Sequence, residues 1–170
     1  MSDWTITEGE LDRGDVQGLL DQHVAEMNAG SPPSACHVLA ADALRDPSIR
    51  FFTLRDGGGE LLGCGALKRL ADDHGEIKSM RTADVALGKG VGSAMLDHLT
   101  EAARAAGMTL LSLETGNTPQ FAAAIRLYER EGFSRCGPFG GYIDTPFTHF
   151  YSRENLGSAP TRLASLRTSC

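Results

Sequence analysis

One stretch limits what the chain can fold into: Ile77 to Leu96, which reads IKSMRTADVALGKGVGSAML. It begins as a strand, passes through a short loop with three glycines, and continues as a helix. Gly88, Gly90 and Gly92 sit where the loop becomes the helix. Without a Cβ, a glycine adopts backbone conformations closed to other residues and lets a ligand approach closely. The amides of Gly88, Lys89, Gly90, Val91, Gly92 and Ser93 are expected to point outward at a helix N-terminus. Unpaired N–H donors and the positive end of the helix dipole converge there and favour a phosphate. Lys89 adds a full positive charge. The spacing G-x-G-x-G is not the G-x-G-x-x-G of a dinucleotide site, nor does G-K-S or G-K-T follow a longer glycine loop as in a P-loop. On these residues alone, a phosphate cradle and a plain tight turn both stand.

The flanking chain supplies a sheet. Trp4 to Glu8 alternates as a first strand. Asp15 to Met27 carries Val16, Leu19, Leu20, Val24 and Met27 at helical spacing, closed by Gly30. Ser31-Pro32-Pro33-Ser34 is a loop, and Ala40 to Arg45 a short helix. Strands at Ile49–Arg55, Leu61–Leu70 and Glu76–Ala83 form an antiparallel meander, with hairpin turns at 56–59 and 72–75. The pattern predicts a helix over Val91–Ala105, ended by Gly107. The apolar run Met108–Glu114 reads as a strand covered on both faces. Strand, helix and strand make a βαβ unit, so strands 76–83 and 109–114 should be parallel. A last helix runs from Pro119 to about Glu131, followed by strands at Phe133–Cys136 and Phe147–Arg153. The expectation is one domain over 1–156, a mixed α/β sheet of six or seven strands with flanking helices. Residues 157–170 read as a tail that packs on its own domain or supports a homodimer.

Two segments carry a family resemblance. Leu87-Gly88-Lys89-Gly90-Val91-Gly92 resembles the acyl-CoA pyrophosphate loop of the GNAT superfamily of N-acetyltransferases, which reads Gln or Arg followed by x-x-G-x-G or x-x-G-x-A. Leu87 stands where the family has Arg or Gln, which removes a side-chain contact and leaves the backbone donors. Leu127-Tyr128-Glu129-Arg130-Glu131-Gly132-Phe133 resembles the family's L-Y-x-x-x-G-F segment. The two come in family order, and the resemblance covers about residues 4 to 153. Leu113-Glu114-Thr115-Gly116, Cys136-Gly137-Pro138-Phe139-Gly140-Gly141-Tyr142 and Ser31-Pro32-Pro33 followed by His37 resemble a bacterial subgroup of the YsnE type.

The resemblance implies acetyl transfer from acetyl-CoA to an amine. That chemistry polarises the thioester carbonyl, deprotonates the ammonium and protonates the leaving thiolate. By the resemblance, the central strands splay, and Met80, Arg81 and Thr82 flank the pantetheine arm, with the Met80 N–H on the carbonyl. Tyr128 would protonate the thiolate; a half-buried, hydrogen-bonded tyrosine is the plainer alternative. Glu76, four residues before Met80, is the general-base candidate, with an exposed carboxylate at a strand start as its plain alternative; Glu114 at the end of the next parallel strand is its rival. The family often has Asn seven residues before the tyrosine; here that position is Phe121, and Asn117 is the nearby substitute. Acceptor-side candidates are His37, Tyr142 and Asp144, on loops rich in Gly and Pro.

Composition closes other routes. A formal net charge of −6 with no basic run argues against nucleic acid. No basic n-region, apolar h-region or membrane-length apolar run is visible, which predicts a cytoplasmic protein with no membrane partner. Cys36, Cys64, Cys136 and Cys170 lack C-x-x-C spacing and read as reduced thiols, with no metal site. The expected partner is a small-molecule or peptide amine. A non-catalytic acyl-CoA-binding module is the competing class.

Overall fold

A computed structural model describes residues 2–30 and 39–156. The expected loop at 31–34, His37 and the tail at 157–170 lie outside the described residues. Seven strands form one sheet: β1 (Thr5–Glu8), β2 (Ile49–Arg55), β3 (Leu61–Ala71), β4 (His74–Thr82), β5 (Leu110–Gly116), β6 (Ser134–Cys136) and β7 (Thr148–Arg153). Their order across the sheet is β1-β2-β3-β4-β5-β7-β6, and only the β4–β5 pair is parallel. Three helices pack on it: α1 (Gly14–Gly30), α2 (Val91–Ala105) and α3 (Ala122–Arg130).

The two faces are filled separately. Alternation along the strands sends Leu67, Ile77, Leu111 and Leu113 to one side, where they meet Val91, Met95, Leu96 and Leu99 of α2. Phe51, Leu61, Cys64 and Ala66 go to the other side, against Val16, Leu19 and Leu20 of α1. Gly65 lets α2 approach closely: a Cβ there would lie 2.9 Å from Met95 and 3.0 Å from Leu99.

Several boundaries differ from expectation, three of them next to the parallel pair and the last helix. β4 starts at His74, because Ala71 already pairs with His74 and the turn needs only Asp72 and Asp73. β5 runs on to Gly116, held through that residue by β7. The last helix opens as a 3-10 turn over Pro119–Phe121 before α3 begins.

One irregularity shapes the functional region. Cys64 pairs with Arg81 and Ala66 with Lys78, so Ser79 and Met80 of β4 together face Gly65. This is a β-bulge, and Ser79 within it takes a left-handed φ of 52°. A bulge bends and twists its strand. Pairing of β4 with β5 covers only His74↔Leu110 to Ile77↔Leu113; beyond it the strands separate.

Candidate active site

A cavity of about 660 Å³ fills the gap between the parted strands. Its walls come from both faces of the sheet. Leu127 and Tyr128 of α3 and the glycine loop line one end; His23 and Glu26 of α1 and Tyr142 line the other. The cavity therefore passes through the sheet.

At the first end the glycine loop is built for an anion. Gly88 and Gly90 have φ of 75° and 88°, and Gly90 caps α2 in the left-handed region. The first intrahelical amide bond is Ala94 N–H to Gly90 O at 3.1 Å, so the amides of Val91, Gly92 and Ser93 are the helix's own unpaired donors. Gly92 lies on the floor, where a Cβ would come 3.2 Å from Leu127 Cδ2. Lys89 departs from expectation. Its amide bonds back to Ala86 O at 3.3 Å, and its side chain is not among the lining groups. Leu87 lines the mouth and is exposed.

Met80, Arg81 and Thr82 line the gap along β4. Met80 also packs against the α2-side core. The Arg81 guanidinium is held by Glu26 and, at 3.3 Å, by Asp84. Tyr128 is buried and also lines the cavity. Its hydroxyl makes no hydrogen bond among the described residues, and burial pushes its pKa up to about 12. The group stays a phenol across the working pH range.

At the other end Glu76 is not the exposed carboxylate of a strand start. It is 3% exposed, and its Oε1 accepts from Lys78 Nζ at 2.9 Å and from Tyr142 Oη at 2.5 Å. Lys78 also donates to the Tyr142 hydroxyl at 2.6 Å. Burial, and then the bond to Glu76, raise the Tyr142 pKa well above the usual phenol range. Glu114 lines the cavity from β5, opposite Phe150 of β7. His23 is buried and neutral, its pKa lowered to about 4 by desolvation and by the Arg81 charge.

Two expected residues lie elsewhere. The Asn117 amide donates to Pro146 O at 2.7 Å, tying down the loop before β7, and its side chain does not line the cavity. Asp144 is exposed and bears on His149. Lys78, Arg126 and Arg130 line the cavity without having been singled out. Arg126 and Arg130 lie four apart on a short helix, a signal present in the sequence; the Lys78 contact depends on Tyr142, 64 residues away. Among the described residues no His, Cys, Asp and Glu cluster could hold a metal, and no helix is long and apolar enough to cross a membrane.

Comparison with known proteins agrees with this geometry. The family model described as "Acetyltransferase (GNAT) family" matches residues 17–133. The uncharacterised N-acetyltransferase YsnE of Bacillus subtilis is 44% identical over 82% of this chain and 91% of its own. The uncharacterised N-acetyltransferase YedL of Escherichia coli is 41% identical over 88% of this chain and 93% of its own. A GNAT acetyltransferase from Elizabethkingia anophelis, solved with acetyl-CoA bound, shares the fold at a TM-score of 0.66 and 16% identity, covering 91% of this chain and 99% of that one. The glycine loop, the parted strands and these relatives place the chain in the GNAT family of acetyltransferases.

Proposed function

We propose that this acetyltransferase moves the acetyl group of acetyl-CoA directly to a primary amine of a small molecule or peptide, with both substrates bound together. The observation that carries the reading is the single cavity through the sheet, lined at one end by α3 and the glycine loop and at the other by Glu76, Glu114 and Tyr142. The pyrophosphate takes the amides of Val91, Gly92 and Ser93. The thioester arm lies along Met80 to Thr82, and the Met80 N–H supports its carbonyl oxygen. The amine comes from the α1 side. Glu76 takes one ammonium proton, and the nitrogen lone pair attacks the thioester carbon. The C–S bond breaks, the thiolate takes the Tyr128 proton, and the acylated nitrogen sheds its second proton to solvent to leave a neutral amide. Solvent exchange then restores both groups.

The test is a CoA-thiol-release screen with acetyl-CoA against simple amines, amino acids and polyamines. Turnover of at least one primary amine, with acetylated product found by mass spectrometry, is the expected result. Tight acetyl-CoA binding with no turnover on any amine would make the chain a binding module instead.

A further inference from the structure

Lys78 is out of place on composition alone. It sits inside a strand with its side chain 9% exposed, beside a carboxylate that is 3% exposed. Burying an ammonium and a carboxylate is costly, and such pairs seldom increase stability over apolar residues of similar size. Strand alternation puts Glu76 and Lys78, two residues apart, on the same face. Tyr142 completes the group from a different part of the chain. Its hydroxyl accepts from Lys78 and donates to Glu76, and its ring lies 5.4 Å from the Lys78 ammonium. Phe139 and Phe150, at centroid distances of 5.2 and 5.9 Å, back that ring.

Among the described residues, both hydrogen bonds to Glu76 fall on one oxygen. Oε1 receives Lys78 and Tyr142; Oε2 receives no hydrogen bond among the described residues. Resting on the acetyltransferase reading above, we propose that Lys78 and Tyr142 are positioning residues for Glu76. Lys78 places a counter-charge 2.9 Å from the buried carboxylate. Together they occupy Oε1 and turn Oε2 toward the incoming ammonium. Tyr142, an acceptor-side candidate from the sequence, also closes the segment before β7 over the base.

A double-mutant cycle tests this, with kcat and both KM values read by CoA-thiol release from acetyl-CoA. The probe is whichever of spermidine, tyramine, glycine or lysine turns over fastest. Lys78→Met is expected to lower kcat about 10-fold or more, the scale of a lost contribution to acid–base catalysis, with KM for acetyl-CoA within about twofold. Lys78→Arg, which keeps a cation beside Glu76, should recover most of the loss. In a Glu76→Gln background, Lys78→Met should cost less than about twofold more, because groups acting as one unit are not additive. Tyr142→Phe keeps the ring packing and removes only the hydroxyl, so it runs the same cycle if Lys78→Met melts early. Additive losses in both cycles would overturn the proposal. Wild-type kcat in Glu76→Gln would instead remove Glu76 as base and leave Lys78 nothing to position. No turnover of any probe would sink the transferase reading, and this proposal with it.

Discussion

Phe121 and Gly116 fit one against the other so closely that a Cβ on the glycine would overlap the phenylalanine ring. Phe121 is buried, lines the cavity and occupies the position where the family often carries Asn. The cavity wall is therefore apolar at this point, and a glycine at the end of β5 makes room for the ring. Gly116→Ala should destabilise the protein by about 1–3 kcal/mol through overpacking. Urea unfolding of Gly116→Ala with and without Phe121→Leu checks it: the smaller side chain should recover part of the loss. Equal losses in both would mean the ring is not what the methyl meets.

The glycine loop carries the cofactor prediction. Gly92→Val places a branched side chain on the cavity floor beside Leu127, and Gly90→Val forces a β-branched residue into left-handed backbone. Acetyl-CoA affinity measured by calorimetry should fall about 10-fold or more, equivalent to at least ~1.4 kcal/mol. Unchanged Kd in both variants would show that the pyrophosphate lies elsewhere.

Tyr128→Phe separates chemistry from packing. The buried hydroxyl has no hydrogen-bond partner among the described residues, so its removal should leave the melting temperature unchanged or higher. Loss of the proton donor should lower kcat roughly 10²-fold with little change in acetyl-CoA affinity. A variant with wild-type kcat would mark Tyr128 as a wall residue.

His23 sets an acid limit on stability. Its pKa is lowered in the fold from the ordinary 6.5 to about 4, so the unfolded chain binds the extra proton first. The stabilisation from the neutral ring is complete above about pH 6.5 and is lost as pH falls toward 4, on the order of 3 kcal/mol in all. Glu26, held below the ordinary carboxylate range first by its bond to Arg81, adds its own loss only at lower pH. Urea midpoints for wild type and His23→Leu from about pH 7 to pH 4.5 should converge as pH falls. Parallel curves would remove His23 as the titrating group.

Legibility from sequence followed locality. The span of α2 was readable to the residue because its signals are short-range: Gly90 at its start and Gly107, with φ of 83°, just past its end. The strand order around the βαβ unit was equally local. The Ser79 bulge was not readable, because nothing in KSMR announces that two residues must face Gly65; that is a matter of register between two strands. Asn117 was offered as a cofactor contact because it stands close in sequence to Phe121, where the family often has Asn, yet Pro146, 29 residues on, takes its amide. Lys78 was passed over because its meaning comes from Tyr142. Residues whose role depends on a partner far along the chain were the ones the sequence left silent.

The parted strands have one more consequence. An unpaired strand edge on the rim of a sheet is a place where any other chain can dock and aggregate. Here the open edge, from Lys78 to Thr82, lies in the middle of the sheet, with α1 on one side and α2 and α3 on the other. The protein keeps its adhesive edge indoors, where it faces a cavity and not a neighbouring chain.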